Sequence, residues 1–216
     1  MRIDVISDVV CPWCFIGKRR LARALELLRA DASGPEAIEV VWHPFQLNPD
    51  LPPEGVDRHG YVSRKFGQRA VEVYRRVAAV GHDIGIEFAF DRITRQPNTV
   101  AAHQLIALAR TEGRQDEMVE SLFRGYLLEG VDLTRTDDLV ALAERAGLAP
   151  GIARDGLHDN AERQQVLAED AQARELGIDG VPCFVFAQRL AISGAQQPET
   201  LVRALQQAAT EAAAQG

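Results

Sequence analysis

Hydrophobic positions follow strand-like and helix-like periods in turn, which predicts an α/β protein. Residues 2–6 form a short β-branched run and residues 38–45 a second one, and each predicts a strand. Between them, residues 12–30 repeat apolar side chains at helical spacing, so the N-terminal part is predicted to be β-α-β. Lys18 also projects near the apolar stripe of this helix, which the periodic pattern does not explain. That stripe is about 60° wide and holds Cys14, Leu21, Leu25 and Leu28.

The C-terminal part predicts two more strands and a closing helix. The strands are expected at 182–186 and 189–193, and the helix at 198–213. The strand at 182–186 is apolar on both faces, which is typical of a strand that is covered on both sides. The helix carries Leu201, Leu205 and Ala208 on one face.

The roughly 125 residues between these parts have helical character. Asn98, after Pro97, suits a helix N-cap, and glycines punctuate several helix ends. We therefore predict a discontinuous domain of residues 1–50 and 177–216, interrupted by an all-helical domain of residues 51–176. The predicted helices are 57–80, 98–112, 115–129, 136–146 and 159–176.

Composition narrows the function classes. The 216 residues carry 24 basic and 31 acidic side chains, a net charge of −7, so nucleic acid is not an expected partner. No run of about 18 apolar residues predicts a membrane span. The N-terminus lacks the basic and apolar segments of a secretory signal, so we expect a cytoplasmic protein with no membrane partner.

The cysteines carry the most informative chemistry. Three cysteines are too few for a disulfide-stapled scaffold, yet Cys11 and Cys14 lie three residues apart where the first helix begins. Unpaired backbone N–H groups at a helix N-terminus favour the reactive thiolate, so Cys11 is the expected nucleophile. Cys14 lies on the buried stripe and is the expected resolving thiol, and the two would exchange disulfides through a mixed disulfide.

Other interpretations of the cysteine pair stay open. A zinc site needs about four ligands, and no second CxxC or HxxxH pair accompanies this one, so we expect no metal. Two ordinary buried cysteines remain an alternative. Gly180-Val181-Pro182 precedes the late strand, and a cis Val181–Pro182 bond is one way to place a proline there.

The arrangement of strand, CPWC, helix, helical block and Gly-Val-Pro resembles the DsbA-like branch of the thioredoxin superfamily. The resemblance covers essentially the whole chain. Four further stretches resemble its FrnE-like subgroup: Asp8 to Arg20, Pro44 to Pro49, Asn98-Thr99 with Ala102-His103, and Ser193 to Gln196.

This resemblance implies a thioredoxin-like fold with a large inserted all-helical domain, and thiol–disulfide oxidoreductase activity at Cys11 and Cys14. It implies that Pro182 is cis and faces the CxxC, and that Val181 offers backbone groups to an extended substrate segment. Pro12 and Trp13, the intervening dipeptide, would tune the redox potential. The redox-active disulfide would be the only required redox group.

A second set of residues is predicted to bind substrate or glutathione. Each has a structural alternative, such as helix capping by Asn98, core packing by Phe45, or loop anchoring by Asp8. His103 is raised as a candidate by the resemblance, which places it near the active-site rim. The set comprises Asp8, Phe45, Asn98, His103, Ser193, Gly194 and Gln196.

The same branch includes 2-hydroxychromene-2-carboxylate isomerases and kappa-class glutathione transferases. These usually carry serine where this chain has Cys11 and do not depend on a thiol at the position of Cys14, so two cysteines favour disulfide exchange. A glutathione-dependent isomerase or transferase is the alternative function, and a redox-sensing or chaperone-like binding module is a further one.

The expected partners are protein or small-molecule disulfides and dithiols, with glutathione a candidate. The sequence leaves open a monomer or a homodimer, and the direction of the redox reaction. Cys183 is either a small core residue or a thiol close enough to Pro182 to join a non-standard exchange.

Overall fold

The computed structural model describes residues 1–30 and 37–213. The strands are β1 Arg2–Ser7, β2 Glu39–Pro44, β3 Val56–Asp57, β4 Arg95–Gln96, β5 Cys183–Phe186 and β6 Leu190–Ser193. The helices are α1 Pro12–Ala30, α2 Arg58–Phe66, α3 Ala70–His82, α4 Val100–Thr111, α5 Gln115–Arg124, α6 Thr136–Arg145, α7 Pro150–His158, α8 Asn160–Glu175 and α9 Pro198–Ala213. No helix in these described ranges is both long and apolar enough to cross a membrane.

The main sheet joins the two ends of the chain in the order β2-β1-β5-β6. β1 runs parallel to β2 and antiparallel to β5, so Ile3 lies opposite Val40 on one side and Phe186 on the other. β5 and β6 form an antiparallel pair. β5 is an inner strand of this sheet and is mostly buried, which accounts for its two apolar faces. The predicted thioredoxin-like fold with many inserted helices is confirmed.

One cluster of buried side chains continues from this sheet into the helical segment. Phe15 on α1 stacks on Phe123 on α5, with ring centroids 5.2 Å apart. On the other side α1 packs against α9, whose predicted apolar face is buried. The continuous core joins the sheet to the helical block, and their division into two domains at residues 51 and 176 stays a prediction.

The predicted helix over residues 57–80 is wrong in its continuity. α2 ends at Phe66, a 3₁₀ turn spans Gly67–Arg69, and α3 then begins. Gly67 has a φ of +56°, a conformation that side chains other than glycine rarely adopt, so the chain changes direction there.

The segment predicted as all-helical differs from the prediction at three further places. The predicted helix over 115–129 ends at Arg124 and continues as one π-helical turn, Gly125–Glu129, where Gly125 packs closely against Leu142. α7 was not predicted, because Pro150 and two glycines weaken its helical pattern. The segment predicted as all-helical also contains the short β3–β4 ladder.

Lys18, unexplained by the helical pattern, is almost buried by partners from other elements. Its Nζ lies 2.6 Å from Asp116 and 3.6 Å from Glu120, both on α5, and 5.7 Å from the ring centroid of Trp42. Trp42 Nε1 donates to the other oxygen of Asp116 at 3.1 Å. The cation therefore joins α1, α5 and β2.

We expect Lys18→Met to lower the free energy of unfolding by about 1–2 kcal/mol, because two carboxylates lose a charged donor while Asp116 remains open to water. Arg23→Met is the matched control on the same helix. Its ion pair with Glu26 is exposed, so its loss should cost at most about 0.5 kcal/mol. Urea unfolding measures both, and equal effects would contradict the role given to Lys18.

Candidate active site

Cys11 lies at the junction between the β1 loop and α1. Its N–H donates to the Asp8 carbonyl at 3.0 Å, and its own carbonyl accepts from Cys14 N–H at 3.0 Å and Phe15 N–H at 3.4 Å. Pro12 is the first residue of the helix, where its missing N–H costs nothing. Both thiols are buried, and no disulfide joins them. Cys11 directly precedes α1 and Cys14 lies on the buried face of that helix, as the sequence predicts.

The two thiols have opposite pKa shifts. The hydrogen bond from the Cys14 thiol lowers the pKa of Cys11, and the backbone N–H groups of Cys14 and Trp13 act in the same direction. Burial and the charge of Asp8 oppose this shift. Burial raises the pKa of Cys14 well above its usual value, and the hydrogen bond that Cys14 donates to Cys11 raises this pKa further. The lowered pKa favours the thiolate form of Cys11, and the raised pKa keeps Cys14 protonated.

We expect the alkylation rate of Cys11 by iodoacetamide to rise with pH at a midpoint lower than that of an ordinary thiol, because the pKa of Cys11 is lowered. Because the Cys14 hydrogen bond is the largest cause of the shift, Cys14→Ala should move the midpoint upward. Cys14→Ser keeps a donor at that position and should move it less. Peptide-resolved mass spectrometry measures the site, and equal midpoints in the two variants would contradict this assignment.

A loop from the other end of the chain faces the two cysteines. The Val181–Pro182 bond is cis, and Cys11 Sγ lies 3.7 Å from the Val181 carbonyl oxygen, which accepts a hydrogen bond from Cys11 when that thiol is protonated. The Pro182 carbonyl accepts from Gly194 N–H at 2.7 Å, which ties this loop to the end of β6. Gly17 allows the close approach, since a Cβ there would lie 2.9 Å from Pro182 Cγ.

A groove of about 220 Å³ opens beside Cys11. It runs between the CxxC and the first helices of the inserted segment, α2 and α3. Its walls are mainly apolar and aromatic, with two cationic side chains and no acidic one among the lining residues. They are Val10, Cys11, Pro12, Trp13, Leu47, Asn48, Arg58, Tyr61, Lys65, Phe66, Val73, Tyr74, Val77 and Gln96.

Arg58 is the groove residue that the sequence interpretation missed. Its guanidinium is buried and donates to Gln96 Oε1, to Tyr126 Oη at 3.4 Å and to Tyr74 Oη at 2.9 Å. Nothing in the local pattern separates Arg58 from the other arginines of the chain. Its burial arises from the β3–β4 ladder, which sets the start of α2 against Gln96.

Two of the predicted binding residues, Asp8 and His103, meet beneath the CxxC. The Asp8 carboxylate is fully buried and accepts from Leu47 N–H at 2.8 Å and from Val10 N–H at 3.5 Å. His103 Nε2 lies 3.7 Å from Asp8 Oδ1 and has no hydrogen-bond partner within the described residues. Asp8 therefore anchors both loops that flank Cys11, and His103 stands behind it rather than at the rim.

The other predicted binding residues lie away from the groove walls. Phe45 is in the core beside Cys183, under the Arg174 guanidinium. Asn98 caps α4 from the position before Thr99, the N-cap residue: its Oδ1 accepts from Val100 N–H at 3.0 Å. Its Nδ2 donates to the Leu51 carbonyl. Ser193, Gly194 and Gln196 form the turn behind Pro182, where Gln196 Nε2 donates to Ser193 O.

Cys183 behaves as a core residue. It is 2% exposed and packs with Ile6, Phe45 and Ala173. Burial raises the pKa of its thiol, and a hydrogen bond with Ser193 only partly offsets this. In the part of the chain that the structure describes, no group of three or more His, Cys, Asp or Glu side chains is placed to hold a metal ion.

Comparison with solved structures finds the same architecture in two disulfide oxidoreductases and in an isomerase. The probable DsbA oxidoreductase of Streptomyces coelicolor is 30% identical, with a TM-score of 0.86, covering 98% of this chain and 91% of that one. A 2-hydroxychromene-2-carboxylate isomerase is 17% identical, with a TM-score of 0.68 and complete coverage of both chains.

The cytosolic disulfide reductase DsbM of Pseudomonas aeruginosa, whose structure was solved with glutathione, is 16% identical, with a TM-score of 0.62 over 89% of this chain and 90% of that one. At these lower identities the likeness to the isomerase and to DsbM shows the fold alone. The family of the DSBA-like thioredoxin domain matches residues 2–206. This match spans the CPWC, the cis-proline loop and the helices between them, and the chain therefore belongs to the DsbA-like thioredoxin-domain family.

Proposed function

We propose that the protein is a thiol–disulfide oxidoreductase of the FrnE-like type, with Cys11 as nucleophile and Cys14 as resolving thiol. The observation that carries the proposal is the placement of the two free, buried thiols at the N-terminus of α1, opposite the cis Val181–Pro182 bond. The pKa of Cys11 is lowered by its hydrogen bond from Cys14, and burial raises the pKa of Cys14. A shared proton on Cys14 leaves Cys11 as the thiolate, which is the form that attacks a disulfide.

In the reducing direction, the Cys11 thiolate attacks one sulfur of a substrate disulfide. A Cys11–substrate bond forms, the substrate S–S bond breaks, and the second substrate sulfur leaves as a thiolate that takes up a proton. Cys14 then loses its proton and attacks Cys11 Sγ. The Cys11–Cys14 disulfide forms, the Cys11–substrate bond breaks, and the substrate sulfur that was bound to Cys11 leaves as a thiolate that takes up a proton. The oxidising direction is the reverse sequence.

The surroundings of the pair support this cycle. The Val181 carbonyl lies beside Cys11 Sγ on a loop whose backbone can pair with an extended substrate segment. Pro12 and Trp13 line the groove next to the nucleophile, where the dipeptide is placed to influence the redox potential. No further cofactor is needed, because the dithiol carries both electrons.

The test is equilibration of the wild-type protein in graded glutathione redox buffers, followed by alkylation and mass spectrometry. Cys11 and Cys14 should become protected together in one two-electron transition, with a disulfide-linked peptide as the product. If both thiols stay free at every potential, or are oxidised independently, disulfide exchange by this pair is not the function.

The alternative is a glutathione-dependent isomerase or transferase. It is compatible with the shared fold of the isomerase and with the DsbM structure that holds glutathione. Such an activity would use Cys11 as a glutathione-site residue and would survive Cys14→Ser, whereas disulfide turnover would not.

The remaining proposals concern partners and location. We take protein or small-molecule disulfides as substrates, with glutathione as a candidate reductant. The cytosolic location of DsbM agrees with a cytoplasmic protein, as the sequence led us to expect. Whether the chain is a monomer or a homodimer is open to direct measurement by light scattering.

A further inference from the structure

Arg58 is a buried cation that lines the groove beside Cys11 and has no carboxylate partner among the described residues. Its residue is 8% exposed, and among the described residues its hydrogen bonds go to neutral groups, namely Gln96, Tyr74 and Tyr126. Burying a guanidinium is costly unless an anion compensates its charge. Three hydrogen bonds also use only three of its five N–H groups, so donors remain for a ligand.

A second cation lies in the same groove. Lys65 lies about two turns after Arg58 on α2. It donates to Tyr61 Oη at 2.7 Å, and Tyr61 Oη in turn donates to Asn48 at 2.6 Å. Neither of these partners is charged. Asp8 lies behind the CxxC, and its carboxylate is occupied by the backbone N–H groups of Leu47 and Val10.

We propose that the groove binds a small disulfide or thiol that bears a carboxylate, with Arg58 as the principal anion contact and Lys65 as the second. The inference rests on the proposed function and names the substrate class of that same site. A groove of about 220 Å³ fits a small organic acid rather than a folded chain. Arg58 would hold the carboxylate while Cys11 attacks the adjacent disulfide, in the exchange already written.

The experiment compares three small disulfides that differ in charge: 3,3′-dithiodipropionate, bis(2-hydroxyethyl) disulfide and cystamine. Each rate constant with the reduced protein is divided by the rate constant of the same disulfide with a free thiol of low charge, which removes intrinsic reactivity. The wild type should prefer the dianion over the dication by about tenfold or more at low ionic strength, and less as salt is added.

Arg58→Met should remove most of this preference, so that the rate for the dianion relative to the rate for the neutral disulfide falls by about the same factor. Arg64→Gln is the matched control, because Arg64 is exposed on the same helix and does not line the groove. Arg58 also links α2 to Gln96, so a variant that fails to fold is replaced by Lys65→Gln, which should give a smaller shift in the same direction.

Three results would overturn the inference. Equal corrected rates for the three disulfides would mean that the groove does not select anions, although the exchange chemistry would stand. Loss of insulin reduction in Arg58→Met with an unchanged charge preference would assign Arg58 to protein substrates. Absence of exchange with every disulfide would instead remove the proposed function itself.

Discussion

Cys11→Ser is expected to reduce disulfide exchange to the uncatalysed rate, a loss of about 10³-fold or more. Serine is nearly the same size, so the buried site keeps its packing, but its hydroxyl does not form the low-pKa anion that attacks a disulfide. The remaining thiol of the pair, Cys14, has its pKa raised by burial and is poorly placed to start the reaction. Insulin reduction and exchange with bis(2-hydroxyethyl) disulfide measure the loss.

Cys183→Ala is the matched control for this prediction. It removes the third cysteine, which packs in the core with Ile6 and Phe45, and leaves both thiols of the CxxC in place. The control should lose some thermal stability and keep its exchange rate per folded molecule. Wild-type activity in Cys11→Ser, or its loss in Cys183→Ala, would show that the nucleophile has been wrongly assigned.

Cys14→Ser should convert turnover into trapping. Cys11 can still attack a substrate disulfide, but no neighbouring thiol resolves the adduct, so nearly one mixed disulfide per chain should accumulate. The wild type resolves the adduct within one molecule, where effective concentrations are far above those of free thiols. Mass spectrometry under non-reducing conditions counts the adducts, and peptide mapping should locate them at Cys11.

The same variant separates the proposed function from its alternative. A glutathione-dependent isomerase or transferase would keep its activity in Cys14→Ser and would hold glutathione without being blocked by it. If Cys14→Ser shows no adduct and retains glutathione-conjugating activity, the disulfide cycle is contradicted. A persistent adduct together with lost turnover supports it.

The sheet and its flanking helices could be predicted because their patterns are local. The β-branched run of β1 and the helical stripe of α1 each carry their own signal. The break at Gly67 gives little local signal, because it depends on a single residue in the left-handed conformation. The two-residue ladder of β3 and β4 gives little as well, because each strand depends on a partner about 40 residues away.

The residues of the candidate site divide in the same way, into those that a local pattern predicts and those that depend on distant partners. Cys11 and Cys14 are readable because their spacing and the helix start lie in one segment. Arg58 is not, because its burial depends on Gln96 and Tyr126, far along the chain. His103 was predicted near the rim, and only the packing of α4 shows that it lies behind Asp8.

The order of strands in the main sheet has a consequence for how the protein is made. β1 pairs with β5, and Val181 follows Cys11 by 170 residues, so the two halves of the active site are far apart in the chain. At about 5–20 residues per second, synthesis separates their appearance by roughly 10–30 s. Pairing over such a separation also slows folding. Until β5 arrives, Cys11 and Cys14 lack the Val181 and Pro182 loop that faces them in the folded protein, so we expect both thiols to react more readily with oxidants in the nascent chain.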